Sequence, residues 1–200
     1  MVKPYESINR SAYNQNADYY SSLYNMMELG NDFMNLLNAF AHLSRGKILD
    51  LGSGNGELSK LLSQYGHLDM ICLDNSIKML KIGCCKKPII ASFEEIPFRD
   101  NSIDGILANC SLLHLPHAEF PAALEESKRV LKPYGSFLMT MKTGENKEGL
   151  FEDNSIERFQ AFYDEKTLFS IVSDFFNIHR GLRFKVKKQN FYSMLCTSKP

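Results

Sequence analysis

The chain has 200 residues and no net formal charge, with 44% hydrophobic and 23% charged side chains. No run approaches the roughly 20 apolar residues of a membrane helix, and 12% aromatic residues are too many for a chain that buries no core. The charge balance also lacks the overall footprint of a dedicated nucleic-acid binder, so the expectation is one soluble, cytoplasmic domain.

The first ten residues, Met1 to Arg10, have no apolar core like that of a secretory signal. The leader that follows is rich in tyrosine: Tyr5, Tyr13, Tyr19, Tyr20 and Tyr24. The apolar spacing then changes to short β runs separated by helical segments. Lys47–Leu51, Asp69–Asp74, Pro88–Ala91 and Ile103–Asn109 are short and continuously apolar, the pattern of strands buried on both faces of a parallel sheet. Leu58, Leu61, Leu62 and Tyr65 share one helical face, as do Ile77, Leu80 and Cys84, and later Leu124, Ser127 and Leu131. Gly135–Met141 reads as a fifth strand, and the Gly-punctuated stretch from Lys142 to Asp153 as a loop. Asp164 is a candidate N-cap for a helix to about Ser173, and Phe176–Phe184 with Gln189–Thr197 form a closing strand pair. The alternation predicts one open α/β sheet with helices on both faces. Cys72, Cys84, Cys85, Cys110 and Cys196 are odd in number and lack C-x-x-C spacing, so all five read as reduced and no metal site is expected.

The most informative run is Ile48-Leu-Asp-Leu-Gly-Ser-Gly-Asn-Gly56, a strand that breaks into three alternate glycines before a helix near Glu57. Glycines let a backbone turn sharply and approach a ligand, and a following helix aims free N–H groups at it. At the carboxyl end of the first strand of such a sheet, this crevice holds nucleotide-like ligands. The spacing is G-x-G-x-G, not the dinucleotide G-x-G-x-x-G, and Asp50 stands two places before the first glycine. An acid there suits a ligand with a cationic end. Asp74, eighteen residues beyond Gly56 at the end of the next strand, can accept from both vicinal hydroxyls of a ribose.

On these residues the chain resembles the class I S-adenosylmethionine-dependent methyltransferases. The D-x-G-x-G-x-G loop, the runs Leu73–Leu80 and Glu94–Asp104, Leu112-Leu-His-Leu115 and Arg129-Val-Leu-Lys-Pro133 follow the order of landmarks in small bacterial, type 11-like methyltransferase domains. The resemblance implies a Rossmann-like, doubly wound seven-stranded sheet of order 3-2-1-4-5-7-6 with strand 7 antiparallel. It also implies a single domain: a helical lid over 1–45, a cofactor-binding core over 46–142, and a loop, last helix and closing strands over 143–200. The implied cofactor is S-adenosyl-L-methionine, the product S-adenosyl-L-homocysteine. Asp50 would face the methionine ammonium through water, Gly52, Ser53, Gly54 and Gly56 would line that moiety, and Asp74 would bind the ribose. Asn75, with Ile77 or Met79, would flank the adenine. Ser92 stands where the family often has an acid or amide reading the adenine amino group, which leaves the Ser92 hydroxyl and the Phe93 N–H. Tyr134 replaces the first glycine of the family's Pro-Gly-Gly turn.

The family places groups next to the transferred methyl after strand four. Asn109 is the expected cofactor contact there. His114 reads either as a general base or as packing in an apolar run, and His117 as an exposed helix-entry residue. Tyr13 and Tyr20 would put aromatic faces on a sulfonium or pack with Leu23 and Met27, and Arg10 reads as a solvated cation. Arg158 and Tyr163, in the aromatic segment after the loop, are candidate substrate ligands. Arg180, Arg183, Lys185, Lys187 and Lys188 form a basic run that reads as a solvated face. The function expected is methyl transfer to a small-molecule acceptor by in-line displacement. A tRNA uridine acceptor and a cofactor-binding protein without turnover stand as alternatives.

Overall fold

The computed structural model describes residues 3–22, 30–153 and 155–200. Three helices open the chain: α1 (Pro4–Gln15), α2 (Ala17–Ser22) and α3 (Gly30–Leu43). A βα alternation follows, β1 (Gly46–Leu51), α4 (Glu57–Leu62), β2 (Leu68–Asp74), α5 (Ile77–Ile82), β3 (Pro88–Ile90) and β4 (Ile103–Asn109). Then come α6 (Phe120–Val130), β5 (Leu131–Thr143), the hairpin β6 (Lys147–Asp153) and β7 (Ile156–Phe162), α7 (Glu165–Phe175), β8 (Phe176–Val186) and β9 (Gln189–Ser198). The main sheet has the order β3-β2-β1-β4-β5-β9-β8. Its first five strands are parallel and β9 is antiparallel to both neighbours, which is the order and direction the resemblance implies.

Side chains alternate across each strand, and the core divides accordingly. Ile48, Leu107, Leu138 and Leu195 point to one face, where Phe33, Leu36, Leu37 and Phe40 of α3 and Leu58 and Leu62 of α4 cover them. Leu49, Ile106, Phe137 and Met139 point to the other, under Phe120 and Leu124 of α6 and Leu168 and Val172 of α7. Thus α3 is a core layer, while α1 and α2 lie across the carboxyl ends of the strands. The expected cap Asp164 closes its helix, its side chain accepting from the Thr167 N–H at 2.9 Å, and the structure adds a second cap, Ser76, whose hydroxyl accepts from the Met79 N–H at 3.2 Å.

Several readings need correction. The stretch from Lys142 to Asp153 is not a loop. β5 runs through Thr143, and β6 pairs with β7 in register from Lys147 with Phe162 to Asp153 with Ile156. Its Lys-Glu-Gly-Leu-Phe-Glu-Asp sequence lacks the apolar alternation that marks a strand. Secondly, the cysteines are not all reduced, because Cys72 on β2 is bonded to Cys85 beyond α5. Chain reversal between β2 and β3 brings together sulfurs 13 positions apart, which a search for C-x-x-C spacing does not detect. Thirdly, Cys84 belongs to the loop after α5 and Leu131 to the start of β5, not to helical faces. Lastly, β3 is an exposed edge strand and not one buried on both faces. Tyr24, Leu23 and Met27 lie outside the described residues.

Tyr134 shows how the altered turn is absorbed. It adopts φ 63° at a register shift between Ile103 and Gly105 on β4, taking the left-handed conformation that glycine holds more easily.

A disulfide closing so short a segment contributes about 2–3 kcal/mol. Cys85→Ser should lower stability in urea by that amount. An unchanged unfolding midpoint under non-reducing conditions would show that the bond does not form.

Candidate functional site

Strand order reverses at β1, whose neighbours β2 and β4 lead the chain in opposite directions. A cavity of about 350 Å³ opens at the carboxyl ends beside that switch. Its floor is Gly52 to Asn55 after β1, Asp74 and Asn75 after β2, Ala91 to Phe93 after β3, and Asn109 to Ser111 after β4. Met79 closes one side, Thr140 and Lys142 of β5 the other, and Tyr13, Tyr20, His114 and Arg158 the roof.

The glycine loop is shaped by its neighbours. Gly52, with φ 74°, passes so close to Ser111 that an added Cβ would lie 2.3 Å from the Ser111 Cβ. Gly54, with φ 56°, sends its N–H to Asp74 Oδ2 at 2.8 Å, while the Ser76 N–H binds Asp74 Oδ1 at 2.8 Å. Asp74 is thereby fixed with acceptor capacity left on both oxygens. Burial raises its pKa and these N–H groups oppose the rise. The hydroxyls of Ser53 and Ser111 are buried, face the same cavity and have no partner among the described residues. Buried hydroxyls are normally satisfied, so both fit a polar ligand in this cavity.

Residues 49–139 match the methyltransferase domain family. The chain is 30% identical over 169 residues to the ubiquinone/menaquinone biosynthesis C-methyltransferase of Rickettsia typhi, covering 74% of this chain and 63% of that one. It is 32% identical over 118 residues to the sarcosine/dimethylglycine N-methyltransferase of Aphanothece halophytica, covering 53% and 42%. The chain therefore spans between about two fifths and two thirds of those relatives' lengths. Among solved structures, the 1,6-didemethyltoxoflavin-N1-methyltransferase of Burkholderia thailandensis superposes with TM-score 0.79 at 16% identity, covering 100% of this chain and 92% of that one. In sequence over residues 49–139, and in fold over the whole chain, the protein is similar to the class I S-adenosylmethionine-dependent methyltransferases.

Within this methyltransferase fold, two residues expected at the cofactor stand behind the wall. Asp50 is 2% exposed and accepts from the Ser59 hydroxyl at 2.7 Å beneath the glycine loop. Burial first, then the charge of Asp74, pushes its pKa up to about 7 against the pull of Ser59. Gly56 backs onto the disulfide: an added Cβ would lie 3.2 Å from the Cys85 Cβ. Its glycine serves close packing beneath the loop. Ser92 lines the cavity, but its hydroxyl donates to Glu6 on α1 at 2.9 Å. The other expected cofactor residues, Gly52, Ser53, Gly54, Asp74, Asn75, Met79, Phe93, Asn109, Tyr13 and Tyr20, all line the cavity.

The two substrate candidates separate. Arg158 is 6% exposed, its guanidinium 4.8 Å from the Tyr20 ring centre and 5.7 Å from that of Tyr13. Tyr163 lies instead among Phe120 and His117, away from the cavity. The alternation of β7 sends Arg158 and Gln160 to one side, and the chain turns after Phe162.

His114 is engaged at both ring nitrogens: Nδ1 lies 2.9 Å from the Phe159 carbonyl oxygen and Nε2 lies 2.8 Å from the Tyr13 hydroxyl. A carbonyl only accepts, so Nδ1 carries the proton and Nε2 accepts from Tyr13, whose oxygen in turn accepts from Arg158 Nη1 at 3.1 Å. Burial drives the imidazole pKa down to about 3, where the sequence pattern suggested a near-neutral base. His117 reaches the Phe162 carbonyl at 3.1 Å, and Arg10 is exposed. Sequence reasoning missed Lys142, Cys110 and Ser111, and the wall formed by Phe184, Val186 and Phe191. Cys110, at φ 54°, gave one signal: it directly follows the strand end where ligands gather.

Ring resonances of His114 should report the neutral Nδ1–H tautomer from pH 8 to pH 5, where an ordinary histidine charges near 6.5. The unfolded chain binds this proton first, so stability falls as pH drops from about 6.5 towards 3. A His114 titration near 6.5 in the folded protein would overturn the assignment.

Proposed function

We propose that the chain transfers a methyl group from S-adenosylmethionine to a small-molecule acceptor, leaving S-adenosylhomocysteine. Asp74 carries the reading. Its carboxylate is set on the cavity wall by one N–H on each oxygen, oriented to accept from two vicinal hydroxyls. Asn75 and Met79 would flank the adenine, and the Phe93 N–H would meet a ring nitrogen. Gly52, Ser53, Gly54 and Asn109 would line the methionine portion, where the hydroxyls of Ser53 and Ser111 gain partners. Asp50 would contribute negative charge from below, and Tyr13 and Tyr20 aromatic faces from above.

The bound donor supplies an activated methyl whose leaving group is a neutral thioether. The chain's own contribution is alignment and exclusion of water, and alignment of two bound reactants is worth up to roughly 7–11 kcal/mol. His114 contributes by orienting the Tyr13 hydroxyl, since its Nε2 is already accepting from that group. The relatives' names, N-methyltransferase of sarcosine and dimethylglycine and C-methyltransferase of quinone biosynthesis, support a small acceptor. The basic run Arg180, Arg183, Lys185, Lys187 and Lys188 is exposed on or just beyond the edge strand β8, and Arg183 pairs with Glu165. Charges on an edge strand deter sheet-to-sheet association.

Titration calorimetry with S-adenosylmethionine and S-adenosylhomocysteine, and NAD as control, tests the donor. Binding of the first two but not NAD is expected. Asp74→Ala should weaken both by about 1.5–3 kcal/mol, the scale of hydrogen bonds to a charged group. Unchanged affinity in the folded variant would exclude the ribose role.

Asp50 gives a second expectation. Below about pH 7 its carboxyl holds a proton, and a cationic ligand favours the charged form, so binding expels that proton. Affinity should rise with pH up to about 7, by at most about tenfold per unit, and Asp50→Asn should flatten the dependence. An equally steep rise in the variant would sink the role of Asp50.

A further inference from the structure

Charged groups are spread along the floor of the cavity, and a further cation, Arg158, lies in its roof over Tyr13 and Tyr20. The cavity's acids, Asp74 after β2 and Glu6 of α1, stand at the end where the proposed donor's ribose and adenine would lie. Lys142 stands on β5, three strands from β2 in the sheet order, which at about 4.8 Å per strand places it roughly 14 Å away. A donor on Asp74 and the glycine loop occupies β2, β1 and β4, and leaves the β5 end for the acceptor.

At that end a cation and a flat apolar wall adjoin. Lys142 donates to the Gln160 side-chain oxygen at 3.0 Å, and Gln160 is 2% exposed on β7. Lys142 stands opposite Phe191 in the β5–β9 register, and Phe191 stands opposite Phe184 in the β8–β9 register. The two rings stack with centres 5.3 Å apart and planes 12° from parallel. Val186 extends the same wall. An ammonium beside an aromatic face matches a planar ring that bears an oxyanion. The roof makes the same demand. Nε2 of His114 is occupied by the Tyr13 hydroxyl, so an acceptor that arrives already ionised needs no base there.

We propose that the acceptor is an aromatic or similarly planar oxyanion, a carboxylate or phenolate, whose charged oxygen is held by Lys142 while its ring lies against Phe191 and Phe184. The inference rests on the methyltransferase reading and names the substrate class of the same site. In the transfer, the acceptor's nucleophilic atom bonds to the methyl carbon as the carbon–sulfur bond breaks, and sulfur keeps the electron pair.

Matched probe pairs test it on the whole chain. Benzoate against benzamide isolates a carboxylate, and 4-nitrophenolate against 4-nitroanisole isolates a phenolate. Each is titrated with and without saturating S-adenosylhomocysteine. At least one anion should bind tenfold or more tightly than its neutral partner. Lys142→Met should abolish the preference, and Lys142→Gln should do the same if the methionine variant does not fold. Lys142→Arg should retain it. Equal binding of the pair, a preference that survives loss of the lysine charge, or no binding of any probe would overturn the proposal. Absence of S-adenosylhomocysteine binding counts against the donor reading alone, and the titrations without it then decide the acceptor class.

Discussion

Between Leu51 and Glu57 the chain leaves a strand buried on both faces and enters a helix, with no room for side chains at two of the turning points. Ser111 crowds Gly52 from the β4 side and Cys85 crowds Gly56 from the β2 side, while positive φ at Gly52, Gly54 and Gly56 gives the backbone its path. Everything at the site is arranged about that turn. Because Gly54 can direct its N–H outward, Asp74 is pinned at the cavity edge. Because Asp74 is pinned, the Ser76 N–H is held and α5 starts at a fixed point, with Ser76 also capping Met79. The disulfide braces the loop from below, through Cys72 beside Ser59 and Cys85 against Gly56.

The roof is attached by different physics. Beside a small apolar cluster of Ala17, Tyr20 and Met79, it has polar links: Lys3 to Glu94 and Glu119, the Asn9 side chain to both backbone groups of Phe159, Asn14 to the Ser76 hydroxyl and the Lys78 N–H, and Ser21 to Asn55. Each such bond is worth about 0.5–1.5 kcal/mol net, far less than the apolar layers that hold α3, α6 and α7.

The parts of this architecture legible in the sequence are those governed by one dominant force. Strands β1, β2 and β4 are largely buried on both faces, so apolar runs mark them within a residue or two, whereas β3 is an exposed edge strand that its Ile pair made look buried; the glycine spacing marks the turn because sterics leave few other residues for it. What escaped was set by three-dimensional neighbours. Gly56 looks like a ligand-contacting glycine until Cys85 is seen against it. The β6–β7 hairpin carries charges on both faces and Gly149 in β6, so no period announces it, and with it went the placement of Arg158 inward and Tyr163 into the core. Lys142 was hidden at the supposed start of a loop, although β5 continues one residue past it. A lone histidine in an apolar run could not reveal its neutrality, which depends on Phe159 and Tyr13, residues 45 and 101 positions away.

The charge pattern and the dry roof combine in a single consequence for the chemistry proposed. When a sulfonium meets an anionic acceptor, opposite charges cancel as the methyl moves, so the transition state carries less charge than the separated reactants. Water, which solvates separated charges best, would slow such a step, and a low-dielectric cavity favours it. Tyr20, Arg158 and Thr140 are 8%, 6% and 1% exposed around the space where the reactants would meet. Bringing a cation and an anion into such a space costs desolvation, which Asp50 and Asp74 at one end and Lys142 at the other offset separately. On the proposed reading, the charges of the chain would thus favour binding each partner, and the secluded space between them would favour the step that neutralises both.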